Sequence, residues 1–95
     1  MRILIILLFF SSSILAQDAN SLFEQASVSY EQKEYAQALI HYNEIEDLGL
    51  YSSDLYYNMG NCYYKLQQNA DAILYYEKAL KLNPSDEDAL FNLKL

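Results

Sequence analysis

From Asp18 onward, apolar positions recur at three- and four-residue steps, the period of one face of a helix. Tyr56, Met59, Gly60 and Tyr63 form one such stripe, and Ala72, Ile73, Tyr76, Ala79 and Leu80 form the next. The polar run Gln67, Gln68, Asn69 separates them, with Asn69 expected as an N-cap. Asn83 and Pro84 close the second stripe, because the residue before a proline avoids the helical region. Ser85 is expected to cap the helix that follows, with Asp86, Glu87 and Asp88 in its first turn, where the helix dipole favours negative charge. The pattern predicts helices near 19–32, 35–48, 53–66, 69–82 and 85–95. With two glycines and one proline in 95 residues, a fold of many tight turns is excluded, and with it an all-β architecture.

The chain also matches itself when shifted by 34 residues. Tyr30 falls on Tyr64, Ala36 on Ala70, Ala38 on Ala72, Tyr42 on Tyr76 and Leu48 on Leu82. Leu39 meets Ile73, and Ala26 meets Gly60. The stretch 53–86 carries Tyr56, Met59, Gly60, Tyr63, Ala72, Tyr76, Ala79 and Pro84 in that order. On these residues it resembles a tetratricopeptide repeat (TPR), a helix–turn–helix unit that stacks into a solenoid. Gly60 and Ala72 are small where two helices must approach closely, the tyrosines fill the space between them, and Pro84 turns the chain into the next unit. Residues 19–52 resemble a degenerate unit through Leu22, Ala26, Tyr35, Ala38, Tyr42 and Ile45. Gln25 and Ser29 depart from the motif, and Gly49 supplies the break in place of a proline. Residues 87–95 resemble the opening of a third unit, with Leu90 in the aromatic place and Leu93 in the aliphatic one. The resemblance implies an all-α fold, a short right-handed solenoid of stacked helix pairs over 17–95. Leu95 falls inside an expected helix with no closing polar helix, so a longer protein is expected.

Ahead of the repeats, Arg2 is followed by the unbroken apolar run Ile3–Phe10, by Ser11, Ser12 and Ser13, and by Ala16. This is the layout of a secretory signal peptide over 1–16, with cleavage leaving Gln17 as the new N-terminus. The run is short for a membrane span, which takes about 20 residues, and the alternative is an N-terminal anchor that is retained. With this leader, the tyrosine-rich repeats and the segment Asp86–Leu95, the chain resembles the exported TPR proteins of bacterial aerotolerance (Bat-type) operons. That likeness implies an extracytoplasmic, membrane-associated complex.

A formal net charge of −7 opposes binding to phosphate backbones, so nucleic acid is not an expected partner. The single cysteine, Cys62, leaves no intrachain disulfide and reads as a small buried hydrophobe. The single histidine, His41, is expected towards solvent. Glu44, Glu46 and Asp47 read as a solvated helix face without a convergent set of metal ligands. No nucleophile–base pair and no metal cluster is legible, so neither an enzyme nor a cofactor or small-molecule substrate is expected. A secreted enzyme with an unrecognised site is the competing class. In a TPR solenoid the first helix of each pair lines a concave groove. The positions left there after packing are Phe23, Ser27 and Tyr30, then Tyr57, Asn58, Asn61, Tyr64 and Lys65, then Phe91 and Asn92. Asn58 and Asn92, one repeat apart, are the candidates for holding a peptide backbone, since an amide both donates and accepts. The other reading is that the groove asparagines satisfy neighbouring groups of the protein itself. Lys65 is the only cation of the set. The expected partner is a protein or peptide: an extended segment with aromatic or aliphatic anchors, or a basic one.

Overall fold

The computed structural model describes residues 18–94, and the expected signal segment lies outside them. Among the described residues there are five helices and no strand. Residues 18–31 form α1, followed by α2 (Tyr35–Asp47), α3 (Ser53–Lys65), α4 (Asn69–Leu82) and α5 (Glu87–Leu93). The two stripes over 53–66 and 69–82 become helices α3 and α4, which pack extensively against each other. None of the described helices is long and apolar enough to cross a membrane.

Three of the helix ends share one backbone solution. At the end of α1, Lys33 N–H donates to Tyr30 and Glu34 N–H to Ser29. At the end of α3, Gln67 N–H donates to Tyr64 and Gln68 N–H to Tyr63. At the end of α2, Gly49 and Leu50 make the same pair of bonds to Glu46 and Ile45. This reversed pair of bonds needs a left-handed residue, and φ is 64° at Lys33, 62° at Gln67 and 78° at Gly49. The polar run at Gln67 was legible as a break, but only Gly49 was legible as a left-handed residue, because glycine adopts that conformation without a Cβ clash. Lys33 and Gln67 stand 34 residues apart, so the repeat extends to an unfavourable backbone state. Gln67→Gly is accordingly expected to stabilise the protein by about 0.5–1 kcal/mol, relief of left-handed strain outweighing the added chain entropy. A thermal melt followed by circular dichroism checks it, and an unchanged or lower midpoint would show that the strain is not there.

Two caps differ from the sequence expectation. Asn69 is the first residue of α4 and not its cap; Gln68 holds the cap position without a side-chain bond. The reversed turn after α3 has already bonded the Gln68 N–H, and its carbonyl accepts from Ala72 to start the next helix. Ser85 does not cap α5; its hydroxyl donates to Asn83 Oδ1 at 3.1 Å. Asp86 caps instead, accepting from the Ala89 N–H at 3.2 Å. Its second oxygen is 3.1 Å from the Ser53 hydroxyl, which also reaches the Ala79 carbonyl at 3.2 Å. The start of α3, the end of α4 and the start of α5 therefore meet at one serine. Ser52 caps α3 by accepting from Leu55 N–H at 3.0 Å.

The core runs through both units: Ala26, Ala38, Leu39, Tyr42, Ile45, Leu55, Met59, Cys62 and Tyr75 form one cluster. Ala72, Tyr76 and Ala79 are buried on α4. Of the repeat signature, Met59 and Gly60 are buried, Tyr56 and Tyr63 half-buried, and Pro84 exposed in the turn before α5. Gly60 is the closest approach of α3 and α4, where an added Cβ would stand 2.6 Å from the Tyr76 ring. His41 departs from its expected solvent position. It is half-buried, its Nδ1 is shut away from water without a partner, and only Nε2 meets a neighbour, the Gln37 amide at 3.2 Å. Its counterpart one repeat on, Tyr75, is buried between Tyr56 and Tyr63 with Lys78 Nζ 4.4 Å above its ring. Leu90, in the aromatic place of the third unit, is 41 % exposed.

Candidate functional site

Helix α3 carries Tyr57, Asn61, Tyr64 and Lys65 at three-, four- and seven-residue steps, which puts them on one face. α1 contributes Tyr30, α4 contributes Tyr76 and α5 contributes Asn92. Together these seven residues line a cavity of about 250 Å³ open on one side. Six of them, Tyr30, Tyr57, Asn61, Tyr64, Lys65 and Asn92, were legible as groove positions. Tyr76 was read as packing alone, although a buried tyrosine hydroxyl requires a partner and so points to a polar neighbour.

That neighbour is the centre of the site. The Tyr76 hydroxyl donates to Asn61 Oδ1 at 2.6 Å. The Asn92 amide donates to the same oxygen at 2.9 Å, with the hydroxyls of Tyr57 and Tyr76 each 3.4 Å from its nitrogen. Asn61 thus accepts twice, from α4 and from α5, and ties three helices together. Burial raises the Tyr76 pKa to about 12; the Asn92 amide pulls it down, and the neighbouring tyrosines 57, 30 and 64 push it up. At neutral pH the Tyr76 hydroxyl is protonated, and its proton is spent on Asn61.

The four other expected groove residues are placed elsewhere. Phe23 packs edge-on against Tyr42, 5.6 Å between ring centres, and belongs to the core. The Ser27 hydroxyl donates back to the Phe23 carbonyl at 3.0 Å. Phe91 is 64 % exposed on α5, outside the lining residues. Asn58 lies beside the Tyr42 hydroxyl. Burial raises the Tyr42 pKa, and hydrogen bonding with Ser27 and Asn58 opposes that rise. Ser27, Tyr42 and Asn58 are therefore one repeat upstream of Asn61, Tyr76 and Asn92. The same residue places thus surround a tyrosine on the second helix of each unit. Of the two readings of the groove asparagines, Asn92 follows the second: its amide is spent on Asn61 Oδ1, within the protein itself.

What remains for a partner is aromatic. Tyr64 is 47 % exposed and Lys65 is exposed at the end of α3. No carboxylate is among the seven lining residues, so the expectation of a basic partner segment finds no counter-charge there. A larger concavity lies between α1 and α2, lined by Asp18, Ser21, Leu22, Gln25, Glu44, Asp47 and Leu48. It has no aromatic anchor. Glu44, Glu46 and Asp47 do not converge on a metal: no group of three or more histidine, cysteine or carboxylate ligands exists among the described residues. Glu46 instead accepts from the Tyr75 hydroxyl at 3.4 Å. Cys62 is fully buried, and burial pushes its thiol up to about 12, which leaves almost no thiolate at neutral pH.

Paired helices in a described region without strands are the arrangement found in helical repeat proteins. In particular, residues 53–86 match the family model of the tetratricopeptide repeat, and the chain carries one such repeat there. No curated protein matches the chain. TPR units generally mediate protein–protein interaction, typically as scaffolds without catalysis of their own.

Proposed function

We propose that this protein is an interaction scaffold that holds an extended segment of a partner protein in the groove of Tyr30, Tyr57 and Tyr64. The observation that carries this reading is the division of labour around Asn61. The amides and Tyr76 are consumed by the fold, while three tyrosines and Lys65 still line the opening. Rigid aromatic side chains with one polar end supply contact area at low entropic cost, and such residues dominate binding hot spots. An apolar or aromatic anchor suits the groove, with its flanking backbone bonded by tyrosine hydroxyls.

The setting is extracytoplasmic and membrane-associated. Arg2, the apolar run to Phe10 and Ala16 support export, and so does the likeness to the Bat-type proteins. Capture of the partner from the organism's own membrane fraction, followed by titration, tests the groove. Tyr64→Ala is expected to weaken binding by about 2 kcal/mol, the cost of a truncated aromatic anchor, with helicity unchanged. Ile40→Ala, on the outer side of α2, is the control and should leave affinity as it was. A Tyr64 variant that binds like the parent would move the partner off this groove. Intact mass on the same material checks the leader: a chain beginning at Gln17 means export with cleavage, and a chain beginning at Met1 means a retained anchor.

A further inference from the structure

Of the seven residues that line the aromatic groove, one carries a formal charge, Lys65, and none is a carboxylate. The acceptor at the centre is already spent. Asn61 Oδ1 takes the Tyr76 hydroxyl at 2.6 Å and the Asn92 amide at 2.9 Å. Lys65 lies one turn beyond Asn61 on the same face of α3, exposed beside the exposed Tyr64. An ammonium group only donates. The polar group that suits it best is a carboxylate, because a charge-assisted hydrogen bond is roughly twice as strong as a neutral one.

A cation in the last turn of a helix also answers the helix dipole without any partner. The equivalent residue at the end of α1, however, is Glu31. A helix end in this repeat therefore does not by itself fix a cation at this place, and the lysine stands where the groove opens. The net charge of −7 opposes a strongly acidic partner. Exposed charges more than about 10 Å away are largely screened at 0.1 M salt, so a single carboxylate fits where an acidic tail does not.

We infer that the partner segment carries an aspartate or glutamate side chain that pairs with Lys65, within about four residues of the anchor held by the tyrosines. The spacing follows from α3 itself. Lys65 stands two turns beyond Tyr57, about 12 Å along the axis, a distance that extended chain covers in about four residues. This inference rests on the reading of the groove as the partner site and adds the charge of the occupant.

Selection of random peptides on the full chain tests it, with helicity of every variant checked by circular dichroism. The enriched peptides should share an aromatic or aliphatic residue with an acid close to it. Replacing that acid by its amide should weaken binding about two- to fivefold, the range for one exposed ion pair. Lys65→Glu should reverse the selection and enrich lysine or arginine at the acid's place. Lys81→Glu, an equal change of net charge at the exposed end of α4, should leave the selection as it was. Amidation of the peptide C-terminus should not change affinity; a loss there would move the carboxylate to the chain end and overturn the inference. So would peptides that require Tyr64 but show no preference for an acid, or the same selection by Lys65→Glu as by the parent. In those cases the groove still stands as an aromatic site. Peptides that bind Tyr64→Ala as well as the parent, or no enrichment at all, would remove the groove itself and this inference with it.

Discussion

Gly60→Leu is expected to lower stability by about 3 kcal/mol or more, a large share of what holds a domain of this size folded. The ring that a side chain would strike is not the far end of a flexible group. Tyr76 is 2 % exposed and its hydroxyl is held 2.6 Å from Asn61 Oδ1, so the ring cannot swing away without breaking that bond. Even alanine places an atom 2.6 Å from two ring carbons. Alanine, however, recovers about 1 kcal/mol of helix propensity relative to glycine. Gly60→Ala is therefore expected to fall clearly between the parent and Gly60→Leu. Thermal melts should show the order, at about 4–8 °C per kcal/mol. Alkylation of Cys62 gives a second reading, because its fully buried thiol on α3 reacts only when the packing around that helix opens. A leucine variant that melts with the parent and keeps Cys62 protected would mean that Tyr76 does not lie over Gly60.

Tyr76→Ala is expected to cost about 3–5 kcal/mol, the range for deleting a buried aromatic side chain. Tyr76→Phe should cost only about 0.5–1 kcal/mol. Asn61 Oδ1 keeps its second donor, the Asn92 amide at 2.9 Å, and so is not left unsatisfied. The alanine variant should also release α5, which is tied to the rest through Asn92 and through the cap Asp86 that bonds Ser53. Hydrogen exchange resolved by residue checks this: α5 amides should lose protection in Tyr76→Ala before those of α1 and α2. Losing Asn92 as well should add more than its separate cost, because Asn61 Oδ1 then loses both of its donors. Full additivity would show that the two bonds are independent and that Asn61 is not the link.

Much of the fold was legible because its causes are local. Helix positions follow from the three- and four-residue stripes, and the observed bounds differ from the expected ones by at most two residues at each described helix end. Gly60 was legible because a glycine within a helix weakens it unless a close neighbour requires it. Six of the seven groove residues were legible for the same reason, as positions left over on the first helix of each pair once the packing stripe is assigned.

The distribution of hydrogen bonds was not legible, and that distribution decides the site. Asn58, Asn61 and Asn92 look alike along the chain, each an amide on the groove-side helices. Which are spent and which are free depends on partners 15 to 35 residues away, such as Tyr76 for Asn61 and Tyr57 for Asn92. Burial of Tyr75 and the half-burial of His41 have the same origin: the two occupy equivalent places in the repeat, but α2 and α3 enclose only Tyr75. The caps show it on a smaller scale. Ser85 and Asp86 are both good caps by type, and the Ser53 hydroxyl from another helix selects Asp86. Sequence by itself determined the periodicity, the repeat and the close contact at Gly60, because each follows from neighbours along one helix. Only the tertiary structure decided which polar groups face a partner, because a buried donor is satisfied by whatever acceptor the packing of other helices brings within reach.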